Sequence, residues 1–402
     1  MTTTTQHLSD YLATLPVVSV HEHHHPDDWF AGFDLDQLFS SSYVGWINPF
    51  HGPITDRAVF LDHVRFNSYF IWAERGIQAV HGTEPITVAS WEAVSATMRR
   101  AHAANARLHI DCLRTHGHYQ RAIQDSYWAP GSDNGHAEIF SPTFRVNSLI
   151  LCHHSEMADH NGNLLRTLLA DIPDCFDDYL LCVDRLIAER KAAGAVALKS
   201  TLAYDRDIAF RLVERRDAAR VYGRHPSEVT PAAGRMYQDF MHDYLCEIAG
   251  KYALPFQQHT GLAKIAGSNP MNLEPTIARH PNTQFILFHG GYPWVAEVGA
   301  LAHTYPNVCP DLTWLPLIST TAAIRAVREW LEVTPSARSI CWGGDCWTGE
   351  ESVGAALALK HTLAIALGQL VDEGYFRLSQ AEAAARNLCY ANAQAIYGLP
   401  GE

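Results

Sequence analysis

Val17-Val18-Ser19-Val20-His21-Glu22-His23 is a β-branched run that closes on two histidines one residue apart. Alternate side chains of a strand share a face, so this spacing predicts that His21 and His23 project the same way, about 6 to 7 Å apart along the backbone. Two imidazoles so placed suit one metal ion, provided that later strands end in matching ligands. The polar loop His23-His24-His25-Pro26-Asp27-Asp28-Trp29 leaves the strand.

The chain around this run has 402 residues, 47% hydrophobic and 18% charged. That suffices for a sizeable core, and residues 1–402 are expected to form one large domain. Thirty Lys and Arg against 43 Asp and Glu give a net charge of −13. No basic run appears, which argues against nucleic-acid or anionic-membrane surfaces and for a small-molecule partner. The first ten residues carry neither a basic nor an apolar region, and no later segment approaches about 18 uninterrupted apolar residues, so the chain reads as cytoplasmic. Nine scattered cysteines without Cys-x-x-Cys spacing give neither a disulfide framework nor a zinc ribbon. Cys341 and Cys346 read as buried packing groups.

Strands are expected near 17, 122, 145, 195, 255, 284, 307 and 339, the third over 144–151. Helices are expected over 177–193, 231–252, 272–280, 294–304, 320–333, 351–370 and 379–397. Strands alternating with helices at this spacing indicate a parallel α/β fold, and eight of them a (β/α)8 TIM barrel with extra C-terminal helices. An open doubly wound sheet is the alternative, but no Gly-x-Gly-x-x-Gly follows an early strand. Residues 34–118 are mostly helical in pattern, too long for a connection, and read as a helical insertion after strand 1. Its aromatic residues Tyr43, Trp46, Phe50, Tyr69, Phe70 and Trp72 can fill its own core or wall a pocket.

In a parallel barrel the C-terminal ends of all strands meet at one mouth. Those ends carry His21 and His23, Lys199, His259, His289 and Asp345. With His259-Thr260-Gly261, His289-Gly290-Gly291-Tyr292-Pro293 and Gly343-Gly344-Asp345, the set resembles the amidohydrolase superfamily of metal-dependent barrel enzymes. Within it the chain looks most like the amidohydrolase-related branch that includes the hydrolase-like half of glutamine-synthetase fusion proteins. Uronate isomerases are more distant.

The resemblance implies that His21 and His23 bind the more buried ion and that Asp345 completes its shell. In two-metal members a lysine at the position of Lys199 is carboxylated and bridges the ions, while His259 and His289 hold the second. In one-metal relatives the strand-6 histidine orients water or substrate instead. The implied cofactor is one or two divalent ions, Zn2+ before Mn2+ or Fe2+, for which neutral imidazoles and a carboxylate are suitable donors. Asp345 is the implied proton carrier, with His259 and His289 beside it. Two departures stand out: Ser19 occupies a position where the family usually has aspartate, and a long interval between Lys199 and His259 implies an insertion around 206–227. Tyr204, Arg206, Tyr292, Trp294, Trp347 and Glu350 follow strand ends and are candidates for substrate contacts. For Glu350 a helix-start role competes. The expected activity is metal-dependent hydrolysis of an amide, ester or lactone in a small polar substrate. The alternatives are a metal-dependent isomerase or decarboxylase acting on a sugar acid or other small carboxylate, and an inactive barrel serving as a binding module. Relatives of this kind are commonly homo-oligomers.

Overall fold

The computed structural model describes residues 2–47, 53–169, 171–337 and 339–400. Seven short strands form one parallel sheet in chain order: β1 (Val17–Glu22), β2 (Tyr119–Gln124), β3 (Phe140–Arg145), β4 (Ala197–Ser200), β5 (Phe256–Gln258), β6 (Phe285–Leu287) and β7 (Val308–Pro310). All but β2 are buried throughout, as expected of strands covered on both faces. From β4 onward the register runs Leu198, Phe256, Phe285, Val308 across the sheet. The residues that follow the strands therefore meet at one rim.

The eighth strand expected near 339 is not a regular strand. Cys341 makes one parallel bridge to Asp311, and Leu312 N donates to Cys341 O at 2.8 Å. On the other side Val20 N donates to Trp342 O, Asp345 N to His21 O and His23 N to Cys346 O, at 2.9, 2.9 and 2.8 Å. Residues 341–346 thus lie between β7 and β1, but Gly343, Gly344 and Asp345 at φ +62° interrupt the pleat. Both glycines are required there. A Cβ on Gly343 would stand 2.7 Å from His21 N, and one on Gly344 2.4 Å from Glu22 Oε1.

A second correction concerns β3, which ends at Arg145, while Asn147–Leu151 is a helical turn. An apolar run alone does not separate a buried strand from a helix. Here Asn147 Oδ1 accepts from Thr201 N at 2.9 Å and Ser148 Oγ donates to Asn163 O at 2.9 Å, which fixes the turn. The last expected helix is likewise divided by a π-turn at Asn387–Ala391.

Between β1 and β2 run the helices Leu35–Ser41, Tyr43–Ile47, Arg57–Val64, Ser68–His81, Trp91–Ala104 and Leu108–Thr115. Asp34, Asp56 and Asn67 cap three of them. Tyr43, Tyr69, Phe70 and Trp72 are buried, Trp46 is exposed, and Phe50 lies outside the described residues. Ser68–His81 packs backbone to backbone against the core helix Gly349–Asp372. A Cβ on Gly76 would stand 2.0 Å from Glu350 O and 2.7 Å from Gly354 N, and one on Gly354 2.2 Å from Trp72 O. Gly349–Asp372 is long and apolar enough to cross a bilayer by length and composition, yet 72% of its most apolar window is buried inside the protein.

Candidate metal centre and active site

His21 lies in β1 and His23 immediately follows it, and both side chains turn toward Asp345. His21 Nε2 and His23 Nε2 are 3.3 and 3.1 Å from Asp345 Oδ1. His23 Nδ1 is 2.7 Å from the carbonyl oxygen of Asp125, which only accepts. That partner assigns the proton to Nδ1 and leaves the Nε2 lone pair facing a carboxylate oxygen. Such a pair repels unless a cation or proton lies between its members.

Three further side chains complete the group. His259 Nε2 donates to Leu262 O at 2.7 Å, leaving its Nδ1 lone pair toward His289 Nε2 at 2.9 Å. Burial, then the charges of Lys199 and its histidine neighbours, depresses the pKa of His21 well below its ordinary value. Burial, His289 and Lys199 do the same to His259. Burial takes His289 to about 3. Burial opposes ionisation of Asp345, but His23, His289 and Lys199 hold it at about 2. Lys199, on β4, is buried; its Nζ has no hydrogen-bond partner among the described residues and sits 3.7 Å above the Phe288 ring. Burial brings its pKa down to about 7.

Asp125, at the end of β2, belongs to the centre although no sequence motif marks it. Its Oδ2 is 3.9 Å from His21 Nε2, and His21, His23 and Asp125 present ligand atoms within 4.8 Å of one another. Arg145, which ends β3, donates to the same carboxylate from Nε and Nη2. Asp311, after β7, is buried with Oδ2 unpartnered among the described residues, and burial pushes its pKa to about 7. The signal that points to all three is placement at the end of a parallel strand.

A cavity of about 260 Å³ opens over these groups. Tyr43, Trp46, Tyr127, Tyr204 and Trp347 supply its aromatic wall. The Tyr204 ring is 4.5 Å from His259, and Trp347 stacks on His23 at 5.8 Å. Tyr43 donates from its hydroxyl to Asp345 Oδ2 at 3.1 Å, with its ring stacked on Trp314 at 4.2 Å. Ser19 supports the loop from below: its Oγ donates to Glu22 Oε1 at 2.8 Å and accepts from Gly344 N at 3.1 Å. Glu22 Oε2 in turn accepts from Cys346 N at 3.0 Å.

Of the expected substrate contacts, Tyr204 and Trp347 line the cavity. The other four do not. Arg206 pairs with Asp239 at 2.5 Å and with Gln238 at 3.1 Å. Tyr292 and Trp294 stand outside the wall. Glu350 is fully buried and turned away, bonded to His81 and His102. Its proximity to Asp345 in sequence says nothing about which side of the new helix it occupies.

The amidohydrolase family profile matches residues 156–399. Protein fluG of Emericella nidulans is 30% identical over 224 residues, which are 51% of this chain and 26% of that protein. The alignment thus takes in about a quarter of its relative. Uronate isomerase from Thermotoga maritima superposes with a TM-score of 0.77 at 13% identity, covering 99% of this chain and 98% of that one. A Lactobacillus casei protein described as a candidate metal-dependent hydrolase superposes at 0.70 with 17% identity, covering 97% of each. At such identities these structures share the fold.

Proposed function

The chain belongs to the amidohydrolase family, and from that premise we propose that it is a hydrolase cleaving an amide, ester or lactone of a small substrate with a divalent metal ion. The observation that carries this reading is the inward convergence of imidazole lone pairs on a buried carboxylate. That donor set fits Zn2+, Mn2+ or Fe2+. His21, His23 and Asp345 would hold one ion, with His259 and His289 holding a second. When bound, such ions acidify water toward a pKa of about 7 and polarise a carbonyl.

The chain's own residues do the rest. Asp345 takes the water proton at Oδ1 or Oδ2 and returns it to the leaving group, general acid–base work. The Tyr43 hydroxyl and the Asp345 N to His21 O bond orient that carboxylate. The aromatic wall excludes bulk water and stacks against the substrate. We assign Lys199 as a residue that, once carboxylated, would hold both ions: an amine with a pKa near 7 is substantially neutral at physiological pH. It can attack carbon dioxide, losing a proton to give the anionic carbamate. Anomalous scattering that shows two ions at the strand ends, with the signal reduced in K199A, supports this role; a single strand-end ion, unchanged by K199A, refutes it.

The fold shared with uronate isomerase favours a second reading, isomerisation of a sugar acid. Against it, the Arg145 guanidinium in the cavity wall is engaged by Asp125, Asn161 and Thr201. A substrate panel in oxygen-18 water separates the two. One labelled oxygen in the product acid supports hydrolysis, and turnover of a uronate without label overturns it.

A further inference from the structure

Behind the catalytic wall, three helices bring two imidazoles and a carboxylate into a closed space. His81 ends Ser68–His81, His102 lies near the end of Trp91–Ala104, and Glu350 lies in the first turn of Gly349–Asp372. Their side chains are 1%, 2% and 0% exposed. His81 Nε2 and His102 Nε2 stand 2.9 and 2.8 Å from Glu350 Oε1, and the three groups present ligand atoms within 4.8 Å of one another. Glu350 Oε2, equally buried, meets no hydrogen-bond partner among the described residues. Among the described residues no Lys or Arg side chain is bonded to this carboxylate.

A buried carboxylate needs a countercharge, and an unpartnered buried oxygen is costly. Imidazole N–H groups directed at Oε1 leave Oε2 without a donor. One divalent cation supplies a countercharge and engages Oε2: two imidazole nitrogens and a carboxylate are donors zinc takes, and with Oε2 at hand all of its positions can be filled by buried protein atoms. We propose that His81, His102 and Glu350 form a structural zinc site separate from the strand-end centre. At bonds of about 2.0 to 2.1 Å, tetrahedral neighbours stand about 3.3 Å apart, so the ion spreads the present nitrogen–oxygen separations by a few tenths of an ångström. The site ties the helices that follow Tyr43 to the helix that starts just after the Asp345 loop.

The inference does not rest on the hydrolytic reading. Crystals of the full chain grown with Zn2+ are measured by anomalous scattering at the zinc edge. The expected result is a peak within bonding distance of His81, His102 and Glu350, whatever is found at the strand ends, and the same peak in D345N. Elemental analysis should show one ion fewer per chain in H102Q and in E350Q than in wild type. Should neither variant fold, the wild-type map alone decides. A wild-type map without density between these three side chains, or an undiminished ion count in folded H102Q, overturns the proposal.

Discussion

Tyr43, from the helices between β1 and β2, bonds Asp345 directly. Its single hydroxyl bond to Asp345 is worth about 0.5 to 1.5 kcal/mol, so Y43F should lower kcat by roughly twofold to tenfold at unchanged metal content. D345N, which removes the proposed proton carrier, should lower kcat by about 10² to 10⁴. Steady-state kinetics with elemental analysis of each preparation checks both. A third expectation concerns pH. His242 is buried, stacks on Phe210 at 3.6 Å, and burial lowers its pKa from 6.5 to about 3. Between those values the unfolded chain binds a proton that the native state refuses. The stability this group contributes is therefore complete above pH 6.5 and is lost as pH falls toward 3. H242Q should flatten the acid limb of a urea-midpoint profile by up to about 1.4 kcal/mol per pH unit, and an unaltered slope would refute that. At this scale His21, His23, Lys199, His259, His289 and Asp345 were legible because each follows an apolar run. Asp125 and Arg145 were not, since one acid and one base carry no pattern until β2 and β3 set them side by side.

Among the elements, the parallel strands and most long helices follow from period and caps, and the failures have local causes. The 341–346 segment misses being a strand because Gly343 and Gly344 let it approach β1 more closely than any residue with a Cβ. The 144–151 run divides because Asn147 and Ser148 bond outward. No sequence pattern shows that Gly76 and Gly354 face each other across two helices, because that depends on how the helices dock. G76A should cost about 1 to 3 kcal/mol of overpacking, read from denaturation midpoints. It should also lower kcat, since the displaced atom is Glu350 O, just past the Asp345 loop. A variant with wild-type stability would show that the docking is looser than described.

For the molecule as a whole, folding gathers imidazoles and carboxylates into one buried volume, and a cation that binds only the native state stabilises it by mass action. Stripping metal with a chelator should therefore lower Tm, and readdition of Zn2+ should restore it. At a free ion concentration of a thousand times Kd the difference is about 4 kcal/mol. Identical melting curves with and without chelator would count against any tightly held ion. The contact of Ser68–His81 on Gly349–Asp372 has a further consequence for traffic in and out of the cavity. A jaw rooted without clearance for one methyl group does not swing from its base. On the hydrolytic reading proposed above, admission of substrate would then fall to the short stretch bearing Tyr43 and Trp46, and new specificities would arise by altering that tip while the root stays fixed.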